Sequence, residues 1–401
     1  MSFDFNPLDP EQRRDPFDAY ARGRELRIVG HEALPMPLHS IFGYEDIQGV
    51  LRDHTTFSNV FPRDPAITQA IGEEPPQSML GSDPPRHTRL RGLVSSAFTP
   101  RIVQRLEPRM VEIANQLVDE AVAKGEVDLV QALTFPLPVV VIAEIIGVPA
   151  EDREQFKGWS EKVVESLGLG LLTGSDPDRA QRQHAVLREM SDYFVPLAEQ
   201  RRHDPKPDLM TGLVQARYEG SPLDADEMLQ MLTLLLVAGN ETTTTLIGNT
   251  AVELMQHPDA AEALRRDPSG VPSAIEEVLR FSSPIQFDPR RVTRDTELCG
   301  AKLARGDWVL SWLGSANRDG RVFEQPERFD IRRQKNPHLS FGFGTHYCIG
   351  ANLARLEARV AIDAVLRKTS AFERIGDAPL ALHPSPVFRS YRSIPVRLVA
   401  A

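Results

Sequence analysis

The chain has only two cysteines in 401 residues, Cys299 and Cys348. That is too few for a disulfide framework, so the fold rests on its core in a reducing interior and a thiol is left free for chemistry. A basic surplus is missing too: 46 Lys and Arg stand against 56 Asp and Glu, a formal net charge of -10. With no excess of positive charge to neutralise phosphates, no nucleic-acid partner is expected, although a local basic patch stays possible. No run of about 18 apolar residues occurs, and the opening MSFDFNPLDPEQRRDPFDAY lacks both a basic and an apolar leader segment. The expectation is a cytoplasmic protein with no membrane segment. Internal repeats, low-complexity tracts and Gly/Ser linkers are also absent, so nothing marks a domain boundary.

What is present is 41% hydrophobic residue content, ample for one large core. In RIVQRLEPRMVEIANQLVDEAV the residues Val103, Leu106, Met110, Ile113, Leu117 and Val118 recur at spacings of three and four, one face of a helix. Helical texture covers about 80–280 and 350–368, and strand-like pieces fall near 20–60, 285–315 and 371–401. In DWVLSW, for example, Trp308, Leu310 and Trp312 alternate with smaller residues. The pattern predicts a mainly α chain with small β-sheets (α+β), a single large helical unit over 1–401.

One segment is unusual for its length and its centre. Asp224 as N-cap and Glu227 three residues on open a helix that stays compatible to about His257, roughly 48 Å at about 1.5 Å per residue. Its middle holds Gly239, which costs about 1 kcal/mol relative to alanine, and the β-branched run Thr242 to Thr245. Two readings are open. Ala238 and Gly239 let something flat approach the backbone, with the Glu241 carboxyl and Thr242 hydroxyl beside it. Alternatively the helix is kinked or π-bulged, with threonines bonding to carbonyls one turn back. Further on, Ser273 as N-cap and Glu276 at N3 predict a second helix start in SGVPSAIEEVLRF, with Glu277 three residues before Arg280 on the same face. Taken alone, such a pair is an ordinary surface contact.

The stretch FGFGTHYCIG surrounds Cys348 with glycine. A phosphate loop would need a lysine and Ser/Thr after the glycines, and a zinc site would need more ligands than His346 and Cys348. A cysteine nucleophile would need a base, for which His346 is the nearby candidate. The fourth reading is a haem thiolate. Glycines without side chains can lie against a porphyrin and turn N–H groups toward sulfur, and the positive end of the amphipathic helix that follows favours a thiolate.

Phe341, Gly342, Gly344, His346, Cys348 and Gly350 match the haem-thiolate signature of the cytochrome P450 family, and the chain resembles its soluble bacterial form. AGNETT matches the family's oxygen-binding helix, and Glu277 with Arg280 its Glu-x-x-Arg pair. HTRLRGLVSSAF from His87, PRRVTRD around Arg290, NRD at 317–319 and PERF at 326–329 follow in the family's order. The motifs cover about 80–360.

The resemblance implies a monooxygenase carrying haem b, with Cys348 on the iron. Ala238, Gly239, Phe341, Gly342 and Gly350 would border the haem, and His87, Arg91, Arg290 and His346 would neutralise its propionates. Thr242 and Glu241 would manage protons during oxygen activation; many relatives carry aspartate where this chain has Glu241. Glu277 and Arg280 would be a structural pair. The pocket wall would comprise 62–82, 165–178, Leu234, Val237, Ala238, Ile285, Gln286, Val387 and Phe388, mainly apolar, with the glycines of 165–178 as a movable lid. A hydrophobic small molecule would be the substrate of C–H hydroxylation or epoxidation. With no flavin, iron–sulfur or dinucleotide motif in the chain, electrons from NAD(P)H would come through a ferredoxin reductase and a ferredoxin docking near the cysteine face, around Arg91. A monomer is expected. The alternatives are a peroxide-dependent haem-thiolate enzyme, against which the Glu241 and Thr242 pair speaks, and a non-catalytic haem-binding sensor.

Overall fold

A computed structural model of the chain describes residues 3, 5–31, 36–61, 68–69, 77–95, 98–164, 176–218 and 220–401. Most of 62–76 and 165–175, expected as pocket wall and lid, therefore lie outside the described residues.

The first part mixes short elements: α1 (Pro10–Arg14), α2 (Phe17–Leu26), β1 (Ile28–Gly30), β2 (Leu38–Ile41), α3 (Tyr44–Arg52) and β3 (Phe57–Ser58). Helices then dominate: α4 (Arg86–Ser95), α5 (Pro100–Lys124), α6 (Pro136–Ile146), α7 (Arg153–Val164), α8 (Pro177–His203), α9 (Leu209–Gln215), α10 (Ala225–Gln256), α11 (Pro258–Arg266) and α12 (Val271–Phe281). The strand β4 (Glu126–Asp128) interrupts them, which the sequence reading missed. The remainder carries β5 (Asp288–Val292), the hairpin β6 (Thr296–Leu298) and β7 (Ala301–Leu303), β8 (Trp308–Ser311), the helix α13 (Ala351–Lys368), β9 (Thr369–Arg374) and β10 (Pro395–Ala400). The chain is one mainly helical unit with small sheets. Among the described residues no helix is long and apolar enough to cross a membrane.

The expected capping box opens α10: Asp224 Oδ1 accepts from the Glu227 N–H at 2.7 Å and Glu227 accepts in return. The helix runs unbroken through its threonines because their hydroxyls are satisfied one turn back, Thr242 to the Ala238 carbonyl at 2.6 Å and Thr245 to that of Glu241 at 2.7 Å. Its apolar residues, such as Leu236 and Ile247, join Ile142 of α6 and Ala361 of α13 in the main core cluster.

Ser273 is not an N-cap. The helix α12 starts two residues earlier at Val271, led in by a short turn over Pro268–Gly270. Pro272 fits the first turn, where a missing N–H loses no bond.

The larger sheet has the order β1-β2-β8-β5-β3, with β2 and β8 parallel and the other neighbours antiparallel. As the central strand, β8 is buried on both sides. Its alternation sorts two cores: Trp308 and Leu310, with Trp312 just beyond, pack with Phe5, Tyr20 and Phe42, while Val309 packs with Ile41, Ile47 and Val292. A second sheet of order β4-β10-β9 closes the other end.

The two ends of the chain are clasped reciprocally. Arg13 donates to the carbonyls of His383 and Ser385, each at 2.7 Å, and of Pro384 at 3.0 Å. Arg389 donates back to the carbonyls of Arg13 at 3.1 Å and Arg14 at 3.0 Å.

Candidate active site

The Cys348 loop is shaped by backbone conformations that only glycine adopts freely. Gly342 and Gly344 both have φ of 71°, on the left-handed side. Gly350 has φ of -86°, so its lack of a side chain is not required by the backbone. The Cys348 N–H donates to the Phe341 carbonyl at 2.9 Å, closing the loop, and a Cβ on Gly350 would lie 4.0 Å from the sulfur. The helix α13 begins at Ala351, three residues past the cysteine. Burial pushes the Cys348 thiol up, and the Gly350 N–H, Arg91 and Arg355 pull it back toward the thiolate.

Three side chains brace this loop. Arg91 of α4 donates to the Tyr347 carbonyl at 2.7 Å. Arg52 of α3 lies over the Phe343 ring at 5.2 Å. Arg355 lies over the Phe341 ring at 4.4 Å and donates to Glu276 at 2.6 and 3.0 Å. Burial raises the Glu276 carboxyl, but bonds from His338 and Arg355 outweigh it and hold it at about 2. Neither Glu276 nor Arg355 was expected in this role, since each is half of a pair 79 positions apart with no local signal.

Next to the loop, the structure gathers the expected basic residues. The rings of His87 and His346 lie 4.1 Å apart, centroid to centroid. Burial, then His87, Arg290, Arg91 and His54, push His346 down to about 3; His54 is a member the sequence reading missed. Burial and Arg91 likewise lower His87. Arg290 is buried in β5, with its guanidinium on the Asp288 carboxylate and the Pro289 carbonyl. His87 Nδ1 and His346 Nε2 are buried and have no hydrogen-bond partner among the described residues. Unpartnered buried donors beside guanidiniums fit an anionic group, and the propionates of a haem meet that description. Among the described residues no three His, Cys, Asp or Glu side chains assemble as a metal site, so the zinc reading finds no cluster there.

The middle of α10 carries the acid and the alcohol. Along one face, Leu234, Gly239 and Thr242 are half-buried and Ala238 is exposed, although the helix is buried on both sides of this strip. A Cβ added at Gly239 would meet Ile142 of α6 at 3.6 Å, an ordinary contact, so Ala238 rather than Gly239 defines the open strip. Glu241 does not share it. The residue is 7% exposed, and burial pushes its carboxyl up to about 7, with Ser390 pulling it back. Ser390 was missed because it lies in an irregular turn with no motif.

The remaining pocket residues come from two segments joined by backbone bonds. Ile285 bridges Phe388 antiparallel, and the Gln286 N–H donates to the Val387 carbonyl at 2.7 Å. Val237 and Phe388 are buried in the main core, with Leu234, Ile285 and Val387 packed against it. The Gln286 amide is committed elsewhere, accepting from the Tyr20 hydroxyl at 2.9 Å and donating to the Ser283 carbonyl at 2.6 Å.

Glu277 and Arg280 are fully buried and form a two-pronged pair at 2.8 and 2.9 Å. Arg280 also donates to the carbonyls of Asn317, Pro326 and Arg328, while Glu277 accepts from Arg333 and the Asp330 N–H. The pair is therefore structural and not a surface contact, and it draws the NRD and PERF segments together. Cys299 sits on the β6–β7 turn, where burial and Asp46 push its thiol up to about 11.

A family model described as cytochrome P450 matches residues 19–373. Cytochrome P450 109 of Bacillus spizizenii is 39% identical over 392 residues, covering 97% of this chain and 93% of that protein. The solved structure of CYP109Q5 from Chondromyces apiculatus superposes with a TM-score of 0.89 at 37% identity, covering 100% of both chains. That of CYP109E1 from Bacillus megaterium, in complex with corticosterone, gives 0.85 at 35%, covering 97% of this chain and 99% of that one.

Proposed function

This chain belongs to the cytochrome P450 family and is a monooxygenase, and we propose that it holds haem b on Cys348 and oxidises a hydrophobic small molecule with dioxygen and electrons from a ferredoxin. The observation that carries this reading is the Cys348 sulfur on a loop shaped by left-handed glycines, beside two buried, unpartnered imidazole nitrogens. The bound haem supplies the oxygen activation and the oxidising power.

The chain's own residues bind, orient and handle protons. Cys348 would be the iron's sulfur ligand, with the Gly350 N–H tempering its electron donation. His87, Arg91, Arg290 and His346 would hold the propionates. Thr242 keeps its hydroxyl on the open strip by donating to the Ala238 carbonyl, leaving oxygen lone pairs free to accept. Burial raises the Glu241 carboxyl to about 7, so that it would carry a proton to give up to the oxygen side.

The substrate wall of Leu234, Val237, Ala238, Ile285, Val387 and Phe388 carries no fixed charge, which favours an apolar substrate. A neighbour solved with corticosterone, an apolar polycycle, agrees with this. Ferredoxin and a reductase fed by NAD(P)H would deliver electrons at the cysteine face, to a cytoplasmic monomer. The test is the carbon monoxide adduct of the reduced protein: a strongly red-shifted Soret band is expected, and a band at the position of histidine-ligated haem would refute the thiolate. Product formed with a ferredoxin system and not with peroxide alone would support the electron source.

A further inference from the structure

We propose that Tyr20 of α2 is a specificity-determining positioning residue, which sets where the substrate wall of Ile285, Val387 and Phe388 stands by holding the amide of Gln286. The proposal rests on the reading of those three residues as pocket wall given above.

Gln286 has no freedom to turn toward a substrate. Its backbone N–H donates to the Val387 carbonyl at 2.7 Å, and its carbonyl accepts from the Gly314 N–H at 3.2 Å. In the side chain, Nε2 donates to the Ser283 carbonyl at 2.6 Å. A carbonyl can only accept, so the amide nitrogen has to face Ser283, and Oε1 faces Tyr20, whose hydroxyl is the donor at 2.9 Å. Both residues are buried, Tyr20 at 1% and Gln286 at 7% exposure. Burial raises the Tyr20 hydroxyl well above its ordinary value, which keeps it a donor at any working pH.

Tyr20 is the fixed end of this bond. Its ring is enclosed by those of Phe5, Trp312 and Phe42, with centroids 5.7, 5.5 and 6.2 Å away, so the hydroxyl cannot follow a moving amide. Glycine at 314 belongs to the same arrangement, since a Cβ there would lie 2.8 Å from Gln286 Oε1 and 3.3 Å from the Tyr20 ring. The wall hangs on Gln286 from the other side. Ile285 pairs with Phe388, and the Val387 carbonyl accepts from Gln286 itself. The Ser283 hydroxyl lies 2.9 Å from both the Ile285 carbonyl and the hydroxyl of Ser340, the residue before Phe341. One end of the wall is thus tied to the frame of the Cys348 loop and the other to α2. Without the Tyr20 hydroxyl, Oε1 is a buried acceptor with no partner, and the amide leaves its seat and takes the wall with it.

The test uses the holoenzyme, with imidazole and a series of 1-alkylimidazoles of increasing chain length as probes. Their free ring nitrogen binds the haem iron and their chains reach progressively further along the pocket, so Soret titrations read the wall as a dependence of affinity on chain length. In Tyr20→Phe, imidazole should bind as before and the longer members about fivefold more weakly, the factor that one neutral hydrogen bond represents. Gly314→Ala, which pushes Oε1 away and leaves the hydroxyl in place, should give the same profile. In a Gln286→Met background, adding Tyr20→Phe should change nothing further. Val309→Ala, in the core on the opposite side of β8, should lower the thermal midpoint without altering the profile. An unchanged profile in Tyr20→Phe, a uniform change that includes imidazole, or the same shift in Val309→Ala would overturn the proposal. The wall reading fails separately, if the parent shows no dependence on chain length, and the haem reading if the parent gives no Soret shift at all; either failure takes the proposal with it.

Discussion

Gly344 and Leu51 stand so close that a Cβ on the glycine would lie 2.8 Å from the Leu51 carbonyl oxygen. The glycine also has φ of 71°. Gly344→Ala therefore meets a left-handed backbone penalty of about 1–2 kcal/mol and a clash with the backbone of α3 that no rotamer relieves. The expected outcome is partial or lost haem incorporation, measured as the Soret to protein absorbance ratio, while the helical circular dichroism is kept.

Truncating one partner of the Glu277–Arg280 pair leaves the other charge buried among carbonyls or N–H groups it cannot satisfy. Glu277→Ala and Arg280→Ala should each cost about 3–5 kcal/mol. Because Arg280 holds Asn317, Pro326 and Arg328, the loss should reach the segments before the Cys348 loop. Denaturant unfolding, with hydrogen exchange over 317–336, checks both points.

Glu241 links stability to pH. Its carboxyl ionises near 4.5 in the unfolded chain and near 7 in the folded one. As pH rises from about 4.5, the unfolded state loses its proton first, so stability should fall by about 3 kcal/mol up to about 7 and then level off. In Glu241→Gln this decline should vanish, leaving the variant more stable than the parent above pH 7 and no more stable below 4.5. Unfolding free energies across this window decide it.

His87 and His346 should matter to haem retention in proportion to the bonds they make to its carboxylates. A charge-assisted bond is worth about 1.5–3 kcal/mol, so His87→Phe should speed haem transfer to apomyoglobin by roughly 10–100-fold. An unchanged transfer rate would mean that the unpartnered Nδ1 serves something else.

Much of this could be read from the sequence where the signal is local. The capping box of Asp224 and Glu227 predicted α10 to within a residue, because both halves of the cap lie within one turn. The Cys348 loop was legible because its glycines mark backbone geometry. Ser273 misled because a cap-like residue three before a glutamate also arises inside a helix that a preceding proline turn has already started. The Arg355–Glu276 brace joins residues 79 positions apart, and such a pair exists only once the fold has placed it. The amide of Gln286 shows the same limit: its position suggested the pocket, but Tyr20, from the opposite end of the chain, takes it.

The reciprocal hold of Arg13 and Arg389 gives the first helix a say over a surface encoded nearly four hundred residues later. Recombining this protein with its relatives would thus respect inheritance in pairs. A hybrid that takes its opening twenty residues from one parent and its closing twenty from another would break a matched lock, and the turn around Arg389 would lose its hold on the first helix.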